Sequence, residues 1–240
     1  MGIMKKALIT GITDQDGSFL AELLLEKGYR VFGFARQESW YRQNNPSHLA
    51  DRIDILFGDM AEGGDIVSAI QEAKPDEIYN LVSQSHPAES WARAPETLLV
   101  NGLRTISLFE AYGTIAPLAG YITPPLLKCS VKSPSPQNEQ TPFNPVNPYA
   151  AAKVYAHQMA KIYRDSYRLN ISTRILFNHE SERRPLHFLT QKVAYGVACS
   201  AFGIFNPPTS TNWGALLSSM ASWPWATSRL RVTGVMPATL

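Results

Sequence analysis

Short apolar runs and segments with apolar residues at helical spacing alternate through the first 110 residues. This alternation is typical of a parallel sheet covered by helices, because each parallel connection needs a crossover that returns the chain. The pattern predicts strands at 6–10, 29–35, 53–57, 77–82 and 171–177, and helices at 18–27, 66–73, 97–112 and 148–169. We therefore predict an α/β fold with a doubly wound parallel sheet.

Composition excludes several classes of protein. The 240 residues carry a net charge of +2 and are 45% hydrophobic, which favours neither a nucleic-acid partner nor an acidic membrane surface. No apolar run is as long as a membrane span requires, and the N-terminal MGIMKKALIT has no long apolar signal core. Two cysteines fit a reducing compartment. We expect a cytoplasmic protein with no nucleic acid, membrane or metal ion as partner.

Two segments depart from this ordinary composition. Acidic residues are absent between Glu110 and Glu139 and again after Glu182. Segment 113–136 holds five prolines, and the last 35 residues hold three of the five tryptophans. Neither 113–136 nor 206–240 shows a helical or strand periodicity that identifies an element. A proline-rich stretch in place of a central strand is expected to destabilise the sheet.

A glycine loop follows the first predicted strand. Gly11 and Gly17 frame five residues between a strand and a helix, where backbone N–H groups can bind a pyrophosphate, as in Rossmann-like folds. An ordinary tight turn is the alternative interpretation. Asp14 stands at the middle glycine position of the usual pattern, and its carboxylate would add bulk and negative charge beside a diphosphate.

Two residues after later strands refine this cofactor prediction. Arg36 follows the second strand, where an arginine suits a ribose 2′-phosphate and therefore favours NADP over NAD. Asp59 follows the third strand and would reach the adenine. A solvated surface arginine and a simple turn aspartate are the alternatives.

A tyrosine and a lysine share one face of the helix that Pro148 opens. Tyr149 and Lys153 are four residues apart, so the ammonium can stabilise a phenolate and lower the tyrosine pKa. A tyrosine activated in this way serves as a general base. The alternative is a helix with an exposed lysine and a partly buried tyrosine.

Together these motifs resemble the GDP-mannose 4,6-dehydratase family of extended short-chain dehydrogenase/reductases. The resemblance covers 1–112 and 137–205. It rests on KALITGIT at 6–13, QDGS at 15–18, LAELLLEKGY at 20–29, KPDEIYNL at 74–81, QSH at 84–86, PYAAAK at 148–153 and ILFNHES at 175–181, with Arg183 and Arg184 following.

The resemblance implies a lyase that converts GDP-mannose to GDP-4-keto-6-deoxymannose. Tyr149, assisted by Lys153, would deprotonate the sugar 4-hydroxyl while the C4 hydride passes to NADP. A family glutamate would then remove the C5 proton as the 6-hydroxyl leaves, and the hydride would return to C6. Asn178 and Lys192 would face the nucleotide sugar. The implied cofactor positions are Gly11, Ile12, Thr13, Asp14, Gln15, Asp16, Gly17, Arg36, Asp59, Met60, Leu81, Gln84, Ser85, Lys153, His179 and Arg184.

The resemblance also implies an organisation and an assembly. Residues 1–177 would form the NADP-binding Rossmann domain, and 178–240 part of a truncated or aberrant substrate-binding region. Relatives of this kind assemble as dimers or tetramers, so a homo-oligomer is implied. We interpret His86 as a structural histidine outside the site.

The chain departs from the family pattern at the general base. Ungapped alignment places Leu126 and Leu127 at the Ser/Thr-Ser-Glu motif, and neither side chain can transfer a proton. Asp14, Arg104 and Arg174 stand at family glycines. A related GDP-sugar reductase or epimerase, or a non-catalytic pseudogene product, is the alternative function.

A shift of reading frame accounts for these departures. The codons for GYITPPLLKCSVKS at 120–133, read from each third base, permit VYHASSSEMFGKV, which contains the missing Ser-Ser-Glu. The same shift of WPWATSRLRVTGVMPAT at 223–239 permits LALGNLETARDWGYAGD, a second missing family block. We hypothesise that 113–136 and 206–240 are read out of frame, so that the chain length marks an early stop in a longer enzyme.

Overall fold

The fold is described from a computed structural model, which describes residues 4–42, 46–84, 88–115, 120–123, 138–174, 179–186 and 188–201. The chain divides into two compact units, Met1–His179 and Glu180–Leu240. Among the helices in these ranges, none combines the length and the apolar character that crossing a membrane requires.

A parallel sheet of six strands forms the centre of the first unit. The strands are β1 (Lys6–Thr10), β2 (Arg30–Ala35), β3 (Asp54–Phe57), β4 (Glu77–Asn80), β5 (Gly120–Thr123) and β6 (Ile171–Thr173), in the order β3-β2-β1-β4-β5-β6. Every neighbouring pair is parallel. The winding direction reverses between β1 and β4, so the doubly wound α/β fold is confirmed, and the crevice for a ligand lies at this switch point.

Helices connect the strands. They are α1 (Gln15–Glu26), α2 (Gln37–Arg42), a 3₁₀ turn (Ser47–Leu49), α3 (Gly63–Ala73), α4 (Glu89–Ala92), α5 (Ala94–Leu98), a π-helical turn (Leu99–Leu103), α6 (Arg104–Ile115) and α7 (Pro148–Tyr167). The second unit contains α8 (Leu189–Ala201). Gly28, at φ +79°, ends α1 as its spacing predicts.

Alternating side chains of the strands supply two hydrophobic cores, one on each face of the sheet. Leu8 of β1 packs into a cluster with Ile70 of α3 and Phe109 of α6, whereas Ala7 and Ile9 belong to a second cluster that includes α1. A strand alternates its side chains between faces, and both faces are apolar here because helices cover both.

Segment 113–136, whose sequence shows no reliable periodicity, contributes to regular elements in its described part. Residues 113–115 complete α6, and Gly120–Thr123 forms β5, with Tyr121 opposite Ile78 of β4 and Ile171 of β6. Tyr, Ile and Thr favour strands, and no proline lies within these four residues, so both ladders form. Leu126, Leu127 and 206–240 lie outside the described residues.

The predicted helix 97–112 is not continuous. The structure replaces it with the end of α5, the π-helical turn and α6. Apolar spacing does not reveal the π turn, because a single wide turn shifts the helical period by only one residue. Helix α1 begins at Gln15 instead of Ser18, since its first turn is the glycine loop itself.

Candidate functional site

The glycine loop is a compressed connection between β1 and α1. Gly11 has φ +74°, and a Cβ atom added there would lie 2.9 Å from the backbone nitrogen of Val82. A Cβ atom on Gly17 would lie 2.2 Å from the carbonyl oxygen of Gly11. The helical ladder begins with the Ser18 N–H donating to the Asp14 carbonyl at 3.1 Å. The N-terminus of α1 therefore opens at the carboxyl end of β1, beside the switch point.

Asp14 is the N-cap residue of α1, yet its carboxylate accepts no cap hydrogen bond. Burial, together with the nearby charge of Asp16, raises the pKa of this carboxyl to about 6 against the opposing effect of Arg36. An ionised carboxylate at this point is unfavourable even without a ligand. The position that the sequence identifies as anomalous is therefore anomalous in its electrostatics as well.

A polar contact joins His179 to the glycine loop. The His179 Nε2 atom lies 2.6 Å from the Asp16 Oδ1 atom, and the Gln15 side-chain amide donates to the His179 carbonyl at 3.4 Å. Both side chains are partly exposed. Residues 163 positions apart in the chain, each predicted to bind cofactor, thus lie together.

The predicted adenosine-binding residues follow β2 and β3. Arg36 is exposed directly after β2, and the Gly58 N–H donates to the Ala35 carbonyl at 3.1 Å, which joins the two strand ends. The Asp59 Oδ1 atom accepts the Ala61 N–H at 2.9 Å, so this carboxylate orders its own turn. Met60 is buried in the core. Asp59 therefore acts as a turn residue, as the alternative interpretation predicts, and this role does not depend on any further contact.

The segment after β4 forms the opposite wall of the crevice. The buried Thr10 hydroxyl accepts the N–H groups of Leu81 and Val82 at 3.2 and 3.3 Å and donates to the Asn80 Oδ1 atom at 2.6 Å. Further along, Asn101 of the π turn contacts Ser83 and Gln84. Sequence reasoning missed Thr10 and Asn101, because each reads as an ordinary residue of its strand or helix.

Tyr149 and Lys153 lie on the first two turns of α7. Asn147 caps this helix by accepting the Ala150 N–H at 2.8 Å, and Pro148 occupies its first position. The Lys153 Nζ atom lies 5.5 Å from the centroid of the Tyr149 ring. The two residues are only 3% and 7% exposed, so the alternative of an exposed lysine is wrong. A buried ammonium beside a phenol favours the phenolate.

Two further predicted site residues belong to the second unit, and two lie outside the described residues. Arg184 and Lys192 belong to the second unit, where the Arg184 guanidinium lies 3.7 Å from the Phe188 ring centroid and its Nε atom 3.3 Å from Glu180. Lys192 lies in the first turn of α8. Ser85 and Asn178 lie outside the described residues.

Comparison with known sequences decides the family. The sequence pattern of the GDP-mannose 4,6 dehydratase family matches residues 8–208. The chain belongs to the GDP-mannose 4,6-dehydratase family.

Curated members of the GDP-mannose 4,6-dehydratase family match most of the chain. The enzyme of Yersinia enterocolitica is 37% identical over 97% of the chain and 64% of its own length. Those of Vibrio cholerae and Homo sapiens are 40% and 39% identical over 83% and 87% of the chain, and over 56% and 60% of their own lengths. The chain thus spans about three fifths of these relatives.

Solved structures confirm the fold. The UDP-glucuronic acid 4-epimerase of Bacillus cereus superimposes with a TM-score of 0.72 at 19% identity, over 81% of this chain and 63% of that one. The dTDP-glucose 4,6-dehydratase of Bacillus anthracis, solved in complex with NAD, gives 0.69 at 20% identity, over 84% and 62%. At such identities the likeness concerns architecture alone.

Besides Asp14, two other residues stand at family glycine positions, and the structure describes both of them. Arg104 donates from Nη2 to the Ala61 carbonyl, and a Cβ atom on Gly63 would lie 2.6 Å from its Nη1 atom. It therefore packs against the turn after β3. Burial lowers the pKa of Arg174 at the end of β6, while the charge of Asp16 opposes that shift. Both arginines thus border the segments predicted to hold the cofactor.

The backbone around the crevice fits a dinucleotide. Gly11 and Gly17 have no room for a side chain, the N-terminus of α1 faces the switch point, and Arg36 is available at the end of β2. Asp14 is the exception, since its carboxylate lies where the phosphates must approach. The residues around the crevice fit a dinucleotide, and the free energy of binding it depends on the protonation of Asp14.

Proposed function

We propose that the chain acts as a nucleotide-sugar dehydratase of the GDP-mannose 4,6-dehydratase type, with GDP-mannose as substrate and GDP-4-keto-6-deoxymannose as product. The observation that carries this proposal is the buried Tyr149–Lys153 pair at the start of α7, in a chain of that family. A bound nicotinamide would supply reversible hydride transfer with the sugar, so the net dehydration would consume no external reductant.

In this proposal Tyr149 takes the proton of the sugar 4-hydroxyl. Lys153 stabilises the phenolate form of Tyr149 that accepts this proton, because its ammonium lies near the tyrosine ring, one buried helical turn further along α7. The N-terminus of α1 and the wall formed by 81–84 hold the cofactor between them. Arg36 supports NADP over NAD, because its guanidinium can pair with a 2′-phosphate.

Elimination requires a second base at sugar C5, and the aligned position is Leu127. A leucine cannot accept a proton, so this observation favours a second candidate function: a protein that binds nucleotide without completing the dehydration. The alternative reading frame would restore a glutamate at this place. The two candidates therefore differ in whether the chain can complete the elimination without a base at this position.

Incubation of the chain with GDP-mannose and NADP, followed by mass spectrometry, distinguishes the candidates. Loss of one water from the sugar, with no added reductant, supports the dehydratase. We expect Tyr149→Phe to abolish that product. Calorimetric binding of NADP without any product supports the non-catalytic function, and absence of binding contradicts both.

Organisation, assembly and compartment are proposed from the family and from composition. Residues 1–177 would bind cofactor, while 178–240, with Asn178, Arg184 and Lys192, would contribute to the cofactor and nucleotide-sugar sides of the site. We propose a homo-oligomer, which sedimentation of the purified chain would test. Two cysteines favour a reducing compartment such as the cytoplasm.

A further inference from the structure

Arg104 is the first residue of α6, and its side chain reaches the turn between β3 and α3. The guanidinium Nη2 atom donates to the Ala61 carbonyl, 43 residues away in the chain, and a Cβ atom on Gly63 would lie 2.6 Å from its Nη1 atom. A hydrogen bond from an ionised guanidinium is stronger than one between neutral groups. A charged side chain of α6 therefore holds the backbone of this turn.

Residues 58–65, here named the β3–α3 turn, are ordered from within by a carboxylate and from outside by Arg104. The Asp59 N–H donates to the Asp65 Oδ2 atom at 2.9 Å, and the Asp59 Oδ1 atom accepts the Ala61 N–H at 2.9 Å. The Ala61 carbonyl accepts from Arg104. Both backbone groups of Ala61 are thus bonded, one to a residue of the turn and one to α6.

Helix α6 gives Arg104 a rigid base. The Leu108, Phe109 and Tyr112 side chains of this helix are completely buried in one hydrophobic cluster, and Met60 of the β3–α3 turn is buried in the same cluster. A side chain that extends from a packed helix holds its partner more precisely than one on a loop. Arg104 and Met60 therefore attach the turn to the core at two neighbouring points.

We propose that Arg104 is a positioning residue, which holds the β3–α3 turn in the conformation that binds the adenosine half of the dinucleotide. It acts through the Ala61 carbonyl and makes no contact with the nucleotide. The inference rests on the proposed function, in which Asp59 and Met60 belong to the cofactor site. It gives a role to an arginine that stands at a family glycine.

Arg104→Met tests the proposal, because methionine keeps an unbranched apolar stem and has no hydrogen-bond donor. We expect the Kd values for adenosine 2′,5′-bisphosphate and for ADP both to rise about tenfold, the loss of one hydrogen bond from a charged group. The Kd for nicotinamide mononucleotide should not change. Hydrogen exchange at the Ala61 amide should accelerate, and Arg104→Lys, which keeps a charged donor, should restore part of the affinity.

Ligand binding and stability should respond differently. The Arg104 Nε atom is buried and has no hydrogen-bond partner within the part of the chain that the structure describes, which disfavours the native guanidinium. Its removal relieves that cost, so the urea midpoint of Arg104→Met should stay close to the native value. Arg104→Gly introduces the family residue and is a second variant should the methionine variant fail to fold.

Arg164→Met is the matched control. Arg164 lies on α7 and donates from Nη1 to the Ile171 carbonyl at 3.0 Å, at the start of β6 and therefore at the sheet edge opposite the crevice. We expect native Kd values for all three ligands in this variant. An equal rise of Kd in the control and in Arg104→Met would overturn the positioning role.

Two other results would also overturn it. A loss confined to adenosine 2′,5′-bisphosphate, with ADP unaffected, would mean that Arg104 pairs directly with the 2′-phosphate. Equal losses for all three ligands together with a lower urea midpoint would mean that Arg104 supports the fold alone.

The test also separates this inference from the proposed function. If the unsubstituted chain binds neither NADP nor these fragments, the proposed cofactor function is wrong. Exchange at the Ala61 amide still decides whether Arg104 holds the turn, because that measurement needs no ligand. If the fragments bind and the Arg104 variants bind them equally well, the cofactor function stands and the inference fails.

Discussion

Asp14→Asn is expected to change cofactor binding in a way that depends on pH. The substitution keeps the shape of the side chain and removes its charge. At neutral pH the native carboxyl is mostly ionised, since its pKa is raised to about 6. A bound pyrophosphate would face that negative charge at the N-terminus of α1. The asparagine variant removes this repulsion.

The size of the effect on NADP binding is set by whichever of two responses costs less free energy: charge repulsion between Asp14 and the phosphates, or protonation of Asp14. Two phosphate charges ~5 Å from an ionised carboxylate repel it by about 7 kcal/mol at an effective dielectric constant near 20. Protonating Asp14 instead costs about 1.4 kcal/mol at pH 7, because that pH lies one unit above a pKa of about 6. The protein should therefore take up a proton when it binds NADP. The native chain should then bind about tenfold more weakly than the variant at pH 7, and about a hundredfold more weakly at pH 8.

Stability should follow the same titration. Because folding raises the pKa of Asp14, its contribution to stability is fully present below about pH 4 and is lost as the pH rises through about 6. The loss amounts to about 3 kcal/mol for a shift of this size. Asp14→Asn should therefore unfold at higher denaturant concentration than the native chain at pH 7, and the two should converge at acidic pH.

Calorimetric titration of both proteins with NADP between about pH 5 and 8 measures the effect. The ratio of the two Kd values is the informative quantity, since the ligand's own phosphate also titrates near pH 6. A ratio that stays constant with pH would refute the electrostatic reasoning. Asp14→Gly removes both the bulk and the charge of the side chain. If this variant binds NADP more tightly than Asp14→Asn by the same factor at every pH, that factor measures the steric effect of the side chain.

Four further outcomes are expected. Arg36→Ala should weaken NADP binding about tenfold and leave NAD binding unchanged, by calorimetry with both nucleotides; equal losses would contradict a 2′-phosphate role. Gly17→Ala should lower the free energy of unfolding by roughly 1–3 kcal/mol, whereas Gly64→Ala, with open space around it, should raise it by about 1 kcal/mol or less, by urea titration. Leu127→Glu should increase dehydration of GDP-mannose if that position serves the base, while Leu126→Glu should not. Resequencing should reveal Ser-Ser-Glu one frame away from codons 120–133, or the frameshift hypothesis fails.

Local pattern and spacing predict much of this fold and part of its site. The strands of the first half, the glycine loop and the Tyr149–Lys153 pair all involve residues within a few positions of one another, so their geometry follows from helical and strand periods. The Asp16–His179 pair joins positions 163 residues apart, and no local period encodes it. Only the family resemblance predicts His179 as a cofactor-binding residue.

Strand β5 and the π turn are not evident from the sequence, because other local patterns obscure them. Prolines on both sides of 120–123 concealed a strand whose four residues pair with two neighbours. The π turn left the apolar spacing of 97–112 nearly intact, so Asn101 read as one polar residue on a helix. A buried asparagine within an apolar helical period is the signal that could have identified it.

The wall at 81–84 has a thermodynamic consequence. Backbone groups of Leu81, Val82 and Gln84 are already hydrogen-bonded to Thr10 and Asn101 before a ligand is present. Little conformational entropy remains to be lost there when a nucleotide binds, and a preorganised surface reduces the cost of association. Weak binding by this chain would consequently originate in repulsion at Asp14, because this side of the crevice requires no ordering.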